Sequence, residues 1–268
     1  MFFQTTVRLF TGTFKALFSN FLDFLKITWA WGVLLIAAQV FAALLTPAGH
    51  FGRVPLAGAP APFQGAVFAG ALVVVFVLCS VPVAWHRKLL LDEAPGFIHL
   101  RVWKREIKFL LRGALALLTC IPLLLVALMA AVIWQPSTQL EALVASTLLN
   151  FLILPFLLRL SMMLPAVAVD EPMTLGEAFT DSEGLGLPMA LAVYLAGLCI
   201  TAISYGLELA LRVLGGAQLA SFFIDIAASM VLVVLAVGVM SGGYQILRER
   251  KTAEDAHKAE TTRPTEVR

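Results

Sequence analysis

The chain has 268 residues, of which 60% are hydrophobic and only 13% charged, whereas an average soluble domain is about 45–50% apolar and about 25% charged. So much apolar surface exceeds what a chain of this length can bury in a water-soluble core, and the same composition excludes a disordered chain, a collagen and a disulfide-rich secreted module. The net charge of +2 decides nothing as a sum, but its distribution along the chain does. The composition predicts an all-α, polytopic transmembrane helix bundle.

The first 26 residues read as a separate amphipathic helix on the inner membrane surface. Val7, Phe10, Phe14, Leu17, Phe18, Phe21 and Leu25 recur at spacings of three and four, with Arg8, Lys15, Asn20 and Asp23 on the other side. Such a stripe suits either the lipid interface or the side of the bundle, and periodicity alone does not separate the two. The apolar run begins too late and runs too long for a cleaved signal peptide.

Six spans follow, because a bilayer core about 30 Å thick needs roughly 20 apolar helical residues. They are expected at 27–45, 65–85, 113–134, 142–159, 188–211 and 220–247. The loop at 46–63 is rich in Pro and Gly and irregular. The segment 86–112 holds a Pro95-Gly96 turn, after which Ile98, Val102, Ile107, Leu110 and Leu111 alternate with basic residues. It reads as a second, basic surface helix anchored by Trp103. Residues 170–183 form an acidic loop, and 248–268 a polar tail that continues the last helix briefly and is then disordered. The chain therefore divides into 1–26, 27–247 and 248–268.

With both termini inside, seventeen of the nineteen Lys and Arg residues fall on inside segments, and only Arg53 and Arg212 outside. This asymmetry predicts cytoplasmic termini. Trp29, Trp31, Trp85 and Trp134 stand at span ends, as headgroup-level belts do.

Charged groups inside spans are site candidates by default. Glu208 and Arg212 are four residues apart on one helix and can pair. Asp225 lies early in the next helix, and the Gly215-Gly216 turn folds it back towards them. The resulting Glu208–Arg212–Asp225 cluster is either a structural clip or a proton or substrate site, and its place near an interface favours the clip. Arg87, Lys88, Arg101, Lys104, Arg105 and Lys108, with Arg159, are candidate contacts to lipid headgroups, including anionic ones. As an orientation anchor the same residues need no ligand, which is the preferred reading. Arg159 reaches the inner interface, a lipid phosphate or the acidic loop. Pro82, Pro122 and Pro155 kink three spans.

Ala66-x-x-x-Gly70 and Gly238-x-x-x-Gly242 permit close helix approach, within the chain or in a dimer. Cys79, Cys120 and Cys199 sit in apolar runs and imply no disulfide framework. The four histidines show no metal spacing, and no His-Glu-x-x-His, Gly-x-Ser-x-Gly or phosphate-binding loop occurs. No cofactor and no nucleic-acid partner is expected; the partners expected are lipids, a second copy or another membrane protein.

A weak repeat links the hairpins. Residues 81–88 and 154–159 each carry a proline four or five positions before an arginine, and each is followed by an Asp-Glu pair, Asp92-Glu93 and Asp170-Glu171. Residues 85–93, 159–170 and 175–179 resemble uncharacterised bacterial six-helix inner-membrane proteins. They are also similar to the membrane domain found beside some glycerophosphodiester phosphodiesterases. The resemblance carries no catalytic residue onto this chain and implies a bacterial inner-membrane location. The expectation is a non-enzymatic protein with an accessory, assembly or envelope role; the alternative is a transporter or lipid-handling protein.

Overall fold

The computed structural model describes residues 2–45, 61–134, 138–171, 173–213 and 218–261. All regular structure among them is helical. In chain order the helices are α1 (Phe2–Ser19), α2 (Phe21–Leu45), α3 (Ala61–Leu91), α4 (Lys104–Trp134), α5 (Gln139–Leu160), α6 (Met163–Ala168), α7 (Leu175–Asp181), α8 (Gly186–Val213) and α9 (Gln218–Thr261). Six stretches are long and apolar enough to cross a membrane: Phe21–Phe41, Gln64–Leu91, Lys104–Ala130, Thr147–Ala168, Gly186–Val213 and Ser221–Lys258. Each overlaps one predicted span. Their outward faces carry exposed Val33, Phe41, Leu118, Leu125, Val126 and Ile203, a surface that water would not tolerate and lipid would.

Sequential spans pack as antiparallel hairpins, and α3 and α9 pack in parallel. α2 lies on α3 and α8 on α9, while α3 also lies against α9. Phe24 meets the Trp85 ring edge-on, with centroids 6.4 Å apart, and farther along the hairpin Gly70 faces Ala38. Two main apolar clusters fill the interior. One gathers Met162, Met163, Met189 and Leu247. The other gathers Trp31, Val77, Val81, Trp85, Met230 and Val234. Trp31 and Trp85 are thus core residues, 4% and 1% exposed, and not the headgroup belt expected of them. They turn inward because the α2 and α3 faces carrying them are the faces that meet. Trp29, on another face of α2, stays exposed and donates its ring N–H to the Phe97 carbonyl at 2.8 Å. The Trp134 side chain lies outside the described residues.

Three boundaries differ from the sequence reading. First, the N-terminal helix α1 ends at Ser19, and of the two placements open to it α1 takes the side of the bundle, seated on α8 and α9. Its buried stripe is Thr6, Leu9, Thr13 and Leu17, while Val7, Phe18, Phe21 and Leu25 face outward and Phe10 and Phe14 are half-buried. Short threonines face α9 because that helix offers glycine there: a Cβ on Gly238 would stand 2.8 Å from the Thr13 methyl, and one on Gly242 3.0 Å from Leu9. The pair Gly238 and Gly242 therefore serves a contact within the chain. The helix breaks at Asn20, so residues 21–26 belong to α2.

Second, the surface helix expected across 98–112 does not stand alone. Residues 92–103 are irregular, and α4 runs unbroken from Lys104 into its span. Glu106 turns back to accept the Trp103 backbone N–H at 2.9 Å, which starts the helix there. Third, α9 stays helical to Thr261, well past the tail expected from 248. Glu254 and Lys258 pair four residues apart at 2.6 Å, and Lys251 and Arg250 tie the extension to the segment at 181–183. Such local pairs and anchors sustain a helix that has no apolar face to bury. Most of the loop expected at 46–63, the Gly215-Gly216 turn and residues 262–268 lie outside the described residues.

Candidate functional site

The ends of six helices meet at one pole of the bundle, and nearly all the described ion pairs gather there. Arg87, near the end of α3, binds the Glu93 carboxylate and donates to the Ala168 carbonyl at 3.0 Å and to Asp170 at 3.3 Å. Arg105, in the first turn of α4, grips the same Asp170 at two points, 3.1 Å and 2.7 Å. The Arg105 guanidinium, helped by Arg87, holds the Asp170 carboxyl below its ordinary pKa against a smaller opposing effect of burial. Lys88 lies between Asp92 at 2.7 Å and Asp23 at 3.1 Å, and Asp23 also takes Lys26 at 2.9 Å. On the far side of the pole Glu171 accepts from the Tyr244 hydroxyl and pairs with Arg248. Arg8 pairs with Glu249 at 2.7 Å, which pins the start of α1 to the same pole.

Asp92 and Asp170 have positive φ, 52° and 62°. Each closes a helix, α3 and α6, where a left-handed residue is needed, and Asp is among the few non-glycine residues that take that conformation readily. The Asp-Glu pairs of the weak repeat thus have a shared structural job, and Arg87 bridges from one (Glu93) to the other (Asp170). The acidic loop is ordered around α7, where Thr174 and Glu177 form a reciprocal capping box. The Thr174 backbone and hydroxyl hold the Glu177 carboxyl below its ordinary pKa.

Of the expected headgroup contacts, Arg87, Lys88 and Arg105 are committed to these internal pairs. Arg159 is committed too: it donates to the Phe179 carbonyl at 2.6 Å and lies 3.8 Å over the Phe179 ring. It meets the acidic segment because Gly186 lets α8 come close; a Cβ there would stand 2.7 Å from the Pro155 carbonyl and 2.9 Å from Arg159. Arg101, Lys104 and Lys108 are exposed and make no ion pair among the described residues. At the opposite pole Glu208 and Arg212 approach to 3.7 Å, with Arg212 mostly exposed. Asp225 is exposed and joins no ion pair with them among the described residues, and the turn that links the two helices lies outside those residues. Ala66 and Gly70 line an apolar cavity of about 260 Å³ between α2 and α3.

Two residues of this pole were not among the sequence candidates. His86 is fully buried, with Nδ1 2.8 Å from the Ser241 hydroxyl. Ser241 in turn donates to the Val237 carbonyl at 3.0 Å, so its oxygen is free to accept from His86 Nδ1–H. That arrangement leaves Nε2 a bare acceptor with no partner. Glu106 is 2% exposed. The signal for both was helix length: α3 and α4 each extend beyond the apolar run, and carry polar residues into the packed interior.

Arg87, Glu93, His99, Arg101, Arg105 and Glu106 line a cavity of about 140 Å³ between the loop at 93–101 and the ends of α3 and α4. His99 is largely enclosed, with Nε2 unpartnered, and burial holds its pKa below the ordinary value. Among the described residues no three or more His, Cys, Asp or Glu side chains are placed to hold a metal ion. The fold and this pole define a multi-pass α-helical membrane protein with a densely paired charged end. Comparison with protein-family models, curated proteins and solved structures found no significant match.

Proposed function

We propose that this is a non-enzymatic protein of the bacterial inner membrane, with both termini in the cytoplasm and an accessory or assembly role. The observation that carries the reading is the paired pole. Its charges are spent mainly on one another, tying α1, α2, α3, α4 and α9 into a single platform. Halfway through the bundle the interior is Trp31, Val77, Val81, Ala196 and Val234, with the Ser80 hydroxyl and the Trp31 ring N–H buried among them and no buried charged side chain at that depth among the described residues. A braced platform above a largely apolar interior is suited to presenting a surface, and a path for a charged solute would need charged or strongly polar groups at mid-depth. The unpaired Arg101, Lys104 and Lys108 put the positive charge of that surface on the side expected to face the cytoplasm.

Two measurements test this. A photo-crosslinking residue at Lys104 or Lys108, activated in native membranes, is expected to capture a recurrent membrane-protein partner or a second copy. Capture of lipid alone speaks against an assembly role. A Lys108→Cys variant, with Cys79, Cys120 and Cys199 replaced, is expected to react with an impermeant maleimide in inverted vesicles only; reaction in right-side-out vesicles overturns the orientation. A lipid-handling role is the second reading, favoured by the charged cavity between the loop at 93–101 and the ends of α3 and α4.

A further inference from the structure

The cavity lined by Arg87, Arg101, Arg105, Glu93, Glu106 and His99 has a definite charge pattern. Arg87 and Arg105 are neutralised by Glu93 and Asp170, which they grip directly. Two charges on its wall form no direct ion pair among the described residues, although Arg105 attracts Glu106 from a longer distance. Glu106 is almost wholly enclosed, and its one hydrogen-bond donor is the Trp103 backbone N–H; no cationic side chain among the described residues lies within ion-pair distance of it. A buried carboxylate without a cation is costly unless something supplies one. Arg101 is exposed and has no carboxylate partner among the described residues. The enclosed His99 adds an unpartnered ring nitrogen to the same wall. The empty valences are thus one negative and one positive, joined by a polar imidazole.

The size limits the occupant. At about 140 Å³ the cavity is well below the ~300–1,000 Å³ of sites for drug-sized molecules, so it takes a small polar group. The surroundings say where that group comes from. Phe97, Ile98, Leu100 and Trp103, in the loop that bounds the cavity, are 74%, 59%, 47% and 67% exposed, and Lys104 next to them opens a membrane span. Apolar and aromatic side chains so placed suit the acyl–headgroup boundary.

We infer that this cavity binds a phosphate group carrying a primary ammonium, the phosphoethanolamine headgroup of a phospholipid, with Glu106 receiving the ammonium and Arg101 and His99 the phosphate. A primary ammonium donates hydrogen bonds to the carboxylate. A trimethylated ammonium cannot, and a glycerol headgroup brings no cation. The inference rests on reading this pole as lying at the bilayer surface, and it is independent of any protein partner.

The test uses the full chain in vesicles of equal phosphatidylethanolamine, phosphatidylcholine and phosphatidylglycerol, extracted into detergent, with retained lipid read by native mass spectrometry. Phosphatidylethanolamine is expected to be retained over both others. Glu106→Gln keeps an acceptor for Trp103 and removes the charge, and is expected to lower the preference about tenfold, the size typical of a lost charged hydrogen bond. Arg101→Gln is expected to weaken retention, and Ala94→Phe, at an exposed position on the rim, to abolish it by filling the space. These two keep the test alive if Glu106→Gln misfolds. Lys108→Gln, outside the cavity, is expected to change nothing. Soluble O-phosphoethanolamine that displaces the lipid supports recognition through the headgroup alone; lipid retained against it supports recognition that also needs the chains. Equal retention of the three lipids, or selectivity unchanged in a folded Glu106→Gln protein, overturns the inference. Loss of the protein partner sought above, with lipid selectivity intact, refutes only the assembly role.

Discussion

Asp170 is one of the hubs of the charged pole, since two arginines from two helices converge on it. Its pKa is depressed in the folded chain, chiefly by Arg105. A depressed carboxylate stabilises the fold at pH values above its unfolded pKa, about 3.9, and that contribution is lost as pH falls through the folded value. Thermal stability in detergent is therefore expected to drop as pH falls below about 4, and Asp170→Asn should shrink that drop while lowering stability at neutral pH. The side chain is 60% exposed, so the loss at neutral pH is modest, about 1 kcal/mol or less after solvent screening. An unchanged acid limb in Asp170→Asn would assign the titration elsewhere.

His86 and Ser241 make the opposite case, a polar pair in the packed interior. Ser241→Ala leaves the His86 Nδ1–H without an acceptor and is expected to cost about 1–3 kcal/mol. The double variant His86→Leu, Ser241→Ala removes both polar groups and should recover part of that loss. Denaturant titration of the two proteins decides it: a double variant no better than Ser241→Ala means that shape, and not hydrogen bonding, sets the cost.

Among the elements, α1 shows best how packing chooses a face. Its sequence displays a phenylalanine stripe, yet the buried stripe is Thr6, Leu9, Thr13 and Leu17. The choice is made on α9, where Gly238 and Gly242 leave room for one short and one branched side chain. Gly238→Leu is expected to unseat α1 at a cost of about 1–3 kcal/mol, the usual range for overpacking. The readout is protease cleavage within residues 2–19, faster than in the parent, with partial rescue by Thr13→Ala when the substitution is Gly238→Ala. Unchanged cleavage would mean that α1 is held elsewhere, through Arg8 and Glu249. The helical extension of α9 belongs to the same class of decision. Its charged residues find Glu171, Asp181 and the Glu183 carbonyl, partners that lie 67 or more residues away in sequence.

For the molecule as a whole, the six spans divide their thiols by environment. Cys79 and Cys120 are buried between helices, and Cys199 faces outward from α8. An apolar maleimide, applied to the protein in detergent at mildly alkaline pH, is expected to modify Cys199 ahead of the other two, as read by peptide mass. Reaction of Cys79 or Cys120 first would contradict the helix packing.

All six spans were legible in the sequence, as was the gathering of basic residues at span ends, because runs of apolar residues near 20 long have no alternative use. The side-chain contacts of the pole were legible only in part. Arg87, Arg105 and Arg159 stood out as charges at membrane ends, but apart from the local Arg87–Glu93 pair the carboxylate or carbonyl each finds lies 20 to 83 residues away. Glu208 and Arg212, four apart on one helix, were readable because their contact is local; any contact of Asp225 with them depends on tertiary placement instead. Trp31 and Trp85 depart from the sequence expectation for the same reason, since composition marks a tryptophan as amphipathic and only the meeting of α2 with α3 determines that these two point inward. The sequence by itself determined the class, the spans and the charged end, because hydrophobic length and charge distribution are properties of the chain. The tertiary structure alone decided which face of α1 is buried, which charges pair, and that Glu106 and Arg101 face one cavity without a direct ion pair among the described residues, because those outcomes depend on distances between residues that the order of the chain does not specify.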